Sequence, residues 1–137
     1  SCSLPTTTPK ATATQPQPPT ADTAAMLSFQ KLDVYRCSIE FAAIAVDIGR
    51  SIPRGHATLR EQLQRAAFSV PLNIAEGVGR ASEADKARHF AIARGSAMEC
   101  AAVLDVVRAL GALDDEPHRK AVDLLTRVTA MLTKLCR

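Results

Sequence analysis

The stretch Arg65-Ala-Ala-Phe-Ser-Val-Pro-Leu-Asn-Ile-Ala-Glu-Gly77 constrains the fold more than any other part of the chain, because it keeps helical order while breaking two local rules. Leu63, Ala66, Val70 and Ile74 recur with helical spacing, yet Pro71 stands among them, where an interior proline costs about 3 kcal/mol. Neighbouring structure must hold that turn. On a helix, Arg65, Ser69, Asn73 and Glu76 share one ridge, with Leu63, Val70 and Ile74 on one side of it and Phe68, Leu72 and Ala75 on the other.

A polar ridge between two apolar stripes is expected to be buried, and each polar group left unpaired there would cost roughly 1–3 kcal/mol. A second helix should therefore supply partners. The segment Ala93-Arg94-Gly95-Ser96-Ala97-Met98-Glu99 fits, with Ser96 and Glu99 on a face with Ile92, Cys100 and Val103, and Arg94 pointing nearly the opposite way. The expectation is a buried, structural hydrogen-bond network of Arg65, Ser69, Asn73, Glu76, Ser96 and Glu99. That reading is favoured over catalysis because buried polar residues are normally satisfied packing elements.

The rest of the chain is helical in pattern, with no strand signal. A first helix is expected from Asp33 to about Arg50, carrying Val34, Phe41, Ile44, Ala45 and Ile48, before Pro53. Its second apolar set, Ile39, Ala42, Ala43 and Val46, makes it hydrophobic almost all round, as a helix that meets another subunit would be. A second helix runs from about Thr58 to Glu76, where Gly77 and Gly79 can supply the C-terminal conformation. Pro71 lies on the side of Arg60 and Gln64, away from the polar ridge, so a bend there would curve this helix toward its partners. Ser82 with Asp85 opens a third helix reaching about Leu110, before Gly111, with Phe90, Ala97, Ala101 and Leu104 inside. A fourth follows Asp114-Asp115-Glu116-Pro117, with a seam of Ala121, Leu125, Val128, Leu132 and Leu135. Four helices with short connections make an all-α, antiparallel up-and-down four-helix bundle.

Residues 1–25 contain Pro5, Pro9, Pro16, Pro18 and Pro19 among threonines and alanines and almost nothing large and apolar, so a disordered tail is expected there, with the bundle occupying residues 26–137. Cys2, Cys37, Cys100 and Cys136 show neither Cys-x-x-Cys pairing nor zinc-finger spacing, and reduced, buried thiols in a cytosolic protein are expected. No apolar run of about 18 residues and no signal-like amino terminus is present, which points to a soluble, cytoplasmic protein with no membrane partner.

Chemistry is sparsely encoded. A di-iron bundle needs Glu-x-x-His on two helices, and no Glu here has His three residues on. Asp115 with His118 is the nearest approach, and His118, His56 and His89 are expected to be surface or loop histidines rather than metal ligands. Ser69 and Ser96 have no His in their motifs and no Gly-x-Ser-x-Gly elbow appears. Gly77-Val78-Gly79 follows a helix rather than a strand, which is a helix stop and not a dinucleotide loop. A non-enzyme without cofactor or metal is expected.

Nucleic-acid binding is the main functional alternative to a pure protein-interaction scaffold. Arg50, Arg54 and Arg60 gather at the first connection, and Arg80, Lys86 and Arg88 at the second. An up-and-down bundle puts those connections at opposite ends, but a ring of copies would repeat each cluster into a basic band able to track phosphates of RNA or DNA. With Lys10 and Asp22 the only charges before Met26, the remainder carries 16 basic against 13 acidic residues, and only 4% of the chain is aromatic. Any binding should therefore be weak per subunit and electrostatic, without base stacking.

Three motifs, in order, carry a family resemblance: Phe29-x-Lys31-Leu32-x-Val34-Tyr35, Ser69-x-Pro71-x-Asn73-Ile74-Ala75-Glu76-Gly77, and Phe90-x-x-Ala93-Arg94-Gly95-Ser96-x-x-Glu99. The chain resembles, over roughly Leu27 to Arg137, the four-helix-bundle proteins encoded in intervening sequences of bacterial 23S ribosomal RNA genes. Tyr35 stands where relatives often carry Trp. The resemblance, which extends in fold to the accessory variability protein of diversity-generating retroelements, implies a ring-like homopentamer and an unidentified protein or nucleic-acid partner. It implies no established activity.

Overall fold

The computed structural model describes residues 28–136, and the tail expected over residues 1–25 lies outside them. A short 3-10 turn at Ser28–Lys31 leads into α1, Asp33–Ser51; a second at Arg54–His56 leads into α2, Ala57–Val78; α3, Glu83–Ala109, and α4, Asp115–Leu135, follow. Each helix packs on its two neighbours in the order α1, α2, α3, α4 and back to α1, with no diagonal contact, so the four form a square antiparallel bundle. No strand occurs among the described residues, and none of these helices is long and apolar enough to cross a membrane.

Local chemistry sets the helix ends. The Ser82 side chain accepts a hydrogen bond from the Asp85 backbone N–H at 3.1 Å, capping α3. At the other end Gly111 takes φ +75°, and the N–H groups of Ala112 and Gly111 reach back to the carbonyls of Val107 (3.1 Å) and Arg108 (2.9 Å). This double bond pattern closes the helix and requires the left-handed glycine. α4 starts with Asp115 and Glu116 in its first turn, where carboxylates offset the positive helix end, and Asp114 makes no side-chain cap bond.

The end of α2 corrects the expectation for its glycines. Gly79 is right-handed (φ −78°, ψ −8°), and Gly111 is the one described residue with positive φ. Gly77 serves packing instead: a Cβ there would lie 2.8 Å from Phe90 Cε1 and 3.1 Å from His89 Cβ. The missing side chain lets the first turns of α3 approach α2.

The core runs the length of the square and includes Phe41, Leu63, Ile74, Leu104 and Leu132, all fully buried. Pro71 is buried within an unbroken α2, so its missing N–H is tolerated inside a packed helix. In the single chain the second apolar set of α1 is covered in part: Ala42 is buried, Ile39 and Val46 are half-buried, and Ala43 is exposed. Large exposed apolar side chains lie mainly on α2 and α3, at Phe68, Leu72, Ile92, Met98, Val106 and Leu110. Periodicity fixes the angle between two stripes, but not how many neighbours are present to cover them.

Candidate functional site: the α2–α3 seam and the basic connections

Ser69 and Asn73, one turn apart on α2, meet α3 through a short polar chain. The Ser96 hydroxyl bonds to Ser69 Oγ at 2.9 Å, and Asn73 Nδ2 donates to Ser69 Oγ (3.0 Å) and to the Ser69 carbonyl (2.8 Å). Asn73 Oδ1 lies 3.3 Å from His89 Nδ1, which is also 3.6 Å from Glu76 Oε2, and Glu76 Oε1 accepts from Arg80 at 2.6 Å. One turn toward the other end, Gln62 donates to Glu99 at 3.2 Å with Arg65 4.0 Å from the same carboxylate.

These side chains are not buried as a set. Ser69, Asn73, Ser96 and Glu99 are half-buried, while the Arg65 side chain is 76% and that of Glu76 51% exposed. The seam sits at the outer edge of the α2–α3 contact, because the stripe beyond it, Phe68 and Leu72, faces outward rather than a fifth helix. Asn73→Leu removes an acceptor from His89 and two donors from Ser69. It should cost about 1–3 kcal/mol in a thermal melt, because His89 and Ser69 are left without those partners in a half-buried seam.

His89 is the member that sequence reasoning missed. It is buried, as is His118, so of the three histidines only His56 is on the surface as expected. Two acceptors at Nδ1 place its proton there, and Nε2 is buried with no partner among the described residues. The signal was available: His89 lies seven residues before Ser96 and four before Ala93, on the same helical face.

His118 belongs to a second cluster, at the α3–α4 end. Arg108 Nη1 donates to its Nδ1 at 3.3 Å, which leaves the proton on Nε2 for the Asp105 carboxylate at 2.9 Å. Asp115 pairs with Arg108 (3.0 Å) rather than with His118. Arg94, opposite the seam, donates to Thr133 of α4 at 2.9 Å. Among the cysteines, Cys100 and Cys136 are free, and burial pushes the Cys100 thiol up to about 12, with Glu99 adding to the shift. Cys37 is buried in α1.

The six basic candidates divide between the two ends of the bundle. At the α1–α2 connection Arg54 is exposed, Arg50 pairs with Asp47 (2.8 Å), and Arg60 donates to the backbone carbonyls of Gly49 (2.9 Å) and Ile52 (2.8 Å). Arg60 thus caps the end of α1. At the α2–α3 connection Arg80 pairs with Glu76 and Lys86 with Glu83 (3.6 Å), while Arg88 is exposed. Three of the six, Arg50, Arg80 and Lys86, are matched by neighbouring carboxylates.

No curated protein matches the chain. Among solved structures it is similar to a protein of unknown function from the S23 ribosomal protein family of Bacteroides thetaiotaomicron, with a TM-score of 0.71 and 22% identity over 76% of this chain and 98% of that one. At that identity the likeness concerns the fold, and it agrees with the four-helix arrangement described above. The family model of the 23S rRNA-intervening sequence protein matches residues 30–134, which take in α1 to α3, α4 up to its last residue, and the three sequence motifs apart from Phe29; the chain belongs to this family.

Proposed function

We propose that the chain is a non-enzymatic, self-assembling bundle whose α2–α3 outer face is covered by further copies of itself, in a cytoplasmic ring of five. The number five is taken from the family resemblance. The observation that carries self-assembly is the row of exposed apolar side chains on that face: Phe68 39%, Leu72 67%, Ile92 42%, Val106 48% and Leu110 46% exposed. A non-enzymatic role is supported by the seam hydroxyls of Ser69 and Ser96, which bond to each other and to Asn73 rather than to a histidine. Light scattering at micromolar concentration should give a mass several times that of one chain, and Leu72→Asp should lower it while leaving helix content unchanged. A monomeric parent protein would refute the reading.

A second reading, an RNA- or DNA-binding accessory role, is favoured by Arg54 and Arg88, which are exposed and have no carboxylate partner among the described residues. Assembly would repeat them around an axis. Titration with structured ribosomal RNA and with duplex DNA at two salt concentrations should show binding insensitive to sequence, and Arg54→Ala with Arg88→Ala should weaken it uniformly and flatten the salt slope. Equal affinity and slope in that double variant would leave the protein-interaction scaffold, with a partner yet to be identified, as the function.

A further inference from the structure

His118 is a buried titratable group that neither the seam nor the basic connections use. Chemistry assigns opposite roles to its two ring nitrogens. A guanidinium carries donors only, so Arg108 Nη1 at 3.3 Å makes Nδ1 an acceptor, and the proton of the neutral ring sits on Nε2, 2.9 Å from Asp105 Oδ1. One more proton has a single place to go. It would arrive at Nδ1, on the lone pair that Arg108 occupies, and set an imidazolium N–H against a guanidinium. The two cannot share that position.

Arg108 is the partner able to leave. Its side chain is 50% exposed, its Nε already bonds Asp115 Oδ1 at 3.0 Å, and an open cleft of about 410 Å³ lies beside it, bordered also by Arg119 and Val122. His118 stays, because its side chain is only 10% exposed and the bond from Nε2 to Asp105 strengthens once the ring is charged. The remaining charges nearby do not alter this choice. On α4, Arg119 pairs with Glu116, Asp115 with Arg108, Asp123 borders the cleft, and the Asp114 carbonyl accepts the His118 backbone N–H at 3.1 Å. From α1 comes Asp47, which lines a groove with Pro117 and is paired with Arg50. The carboxylates let the ring charge in place, and Arg108 is the cation in contact with it. That contact spans the α3–α4 connection, joining the last turn of α3 to the start of α4.

We propose that His118 and Arg108 form a pH-operated latch across this connection, shut while the ring is neutral and opened by its protonation. The latch is present at higher pH and is lost as pH falls; by linkage, the Arg108 contact in turn disfavours proton uptake by the ring. Opening frees a guanidinium beside Arg119 and makes this end of the bundle more basic. Nitrogen-15 NMR of the imidazole and guanidinium groups of the full chain, between about pH 8 and pH 5, tests it. The neutral ring should be the Nε2–H tautomer. As it takes up its second proton, the Arg108 signals should move to the position of an exposed arginine such as Arg54, and protection of the Gly111 and Ala112 amides should drop several-fold. In His118→Gln, whose amide can accept from Arg108 and donate to Asp105 but cannot be protonated, the Arg108 signals should stay put across the range. In Arg108→Gln, which keeps a donor and removes the charge, His118 should take up its proton at higher pH than in the parent. An Nδ1–H tautomer in the parent, Arg108 signals that move alike in the parent and His118→Gln, amide protection unchanged through the titration, or proton uptake in Arg108→Gln at the same or lower pH would each overturn the latch.

Discussion

Gly77→Val should lower stability by about 2–3 kcal/mol and the melting temperature by roughly 10–20 °C, the scale for overpacking a tight contact in a domain of this size. The Cβ would fall 2.8 Å from the Phe90 ring and 3.1 Å from His89 Cβ. The ring is itself buried, and a Cβ atom moves only with its backbone, so neither neighbour can yield cheaply. Helix propensity works the other way, since glycine inside a helix is disfavoured by up to about 1 kcal/mol relative to alanine. Gly77→Ala should consequently show a smaller loss than Gly77→Val. Adding Phe90→Leu to Gly77→Ala should cost less than the two single changes together, because the smaller side chain relieves the clash. A melt in which Gly77→Val matched the parent would mean that the close approach of α3 to α2 is not what this glycine provides.

Arg60→Ala should cost about 2 kcal/mol, against less than about 0.5 kcal/mol for Arg54→Ala six residues earlier. The Arg60 guanidinium holds two carbonyls at the end of α1, those of Gly49 and Ile52, by charged hydrogen bonds, and its Cγ lies 3.2 Å from where a Gly49 Cβ would stand. Lysine, with a single point charge and no fork, should restore part of the loss. Urea unfolding of the three variants measures this directly; equal midpoints for Arg54→Ala and Arg60→Ala would remove the capping role. An Arg50, Arg54 and Arg60 triple change is therefore a poor probe of phosphate contacts, since it loosens the fold as well as the surface.

The helices themselves were legible in the sequence because their signals are local: the Ser82 cap, Gly111, the acids before α4 and the spacing of core residues such as Phe41, Leu63 and Leu104. What escaped depends on contacts between distant positions. Arg60 looks like any surface arginine until α2 folds back against the end of α1. Gly77 resembles a helix stop until Phe90 arrives. His89, expected on the surface or in a loop rather than as a metal ligand, is buried, and its spacing from Ser96 puts it on the inner face. The seam residues were legible as a group, but not their half-exposure, because the sequence places Phe68 and Leu72 on a stripe without saying whether another chain covers it.

The polar ties of α1 to its neighbours are unevenly distributed along its length. Ser51 Oγ donates to the Ala112 carbonyl at 3.1 Å, Arg60 fastens α2 to α1, and Arg108, His118 and Asp115 fasten α3 to α4, all at one end. At the opposite end the start of α1 holds only to its own leading turn, through Arg36 and the Gln30 carbonyl among the hydrogen bonds of the described residues. Local opening takes the least-fastened segment first. Amide protons of α1 should thus exchange with solvent in a gradient, fastest near Asp33 and slowest near Ile48, so that this helix peels from its first turn while its last turn stays pinned.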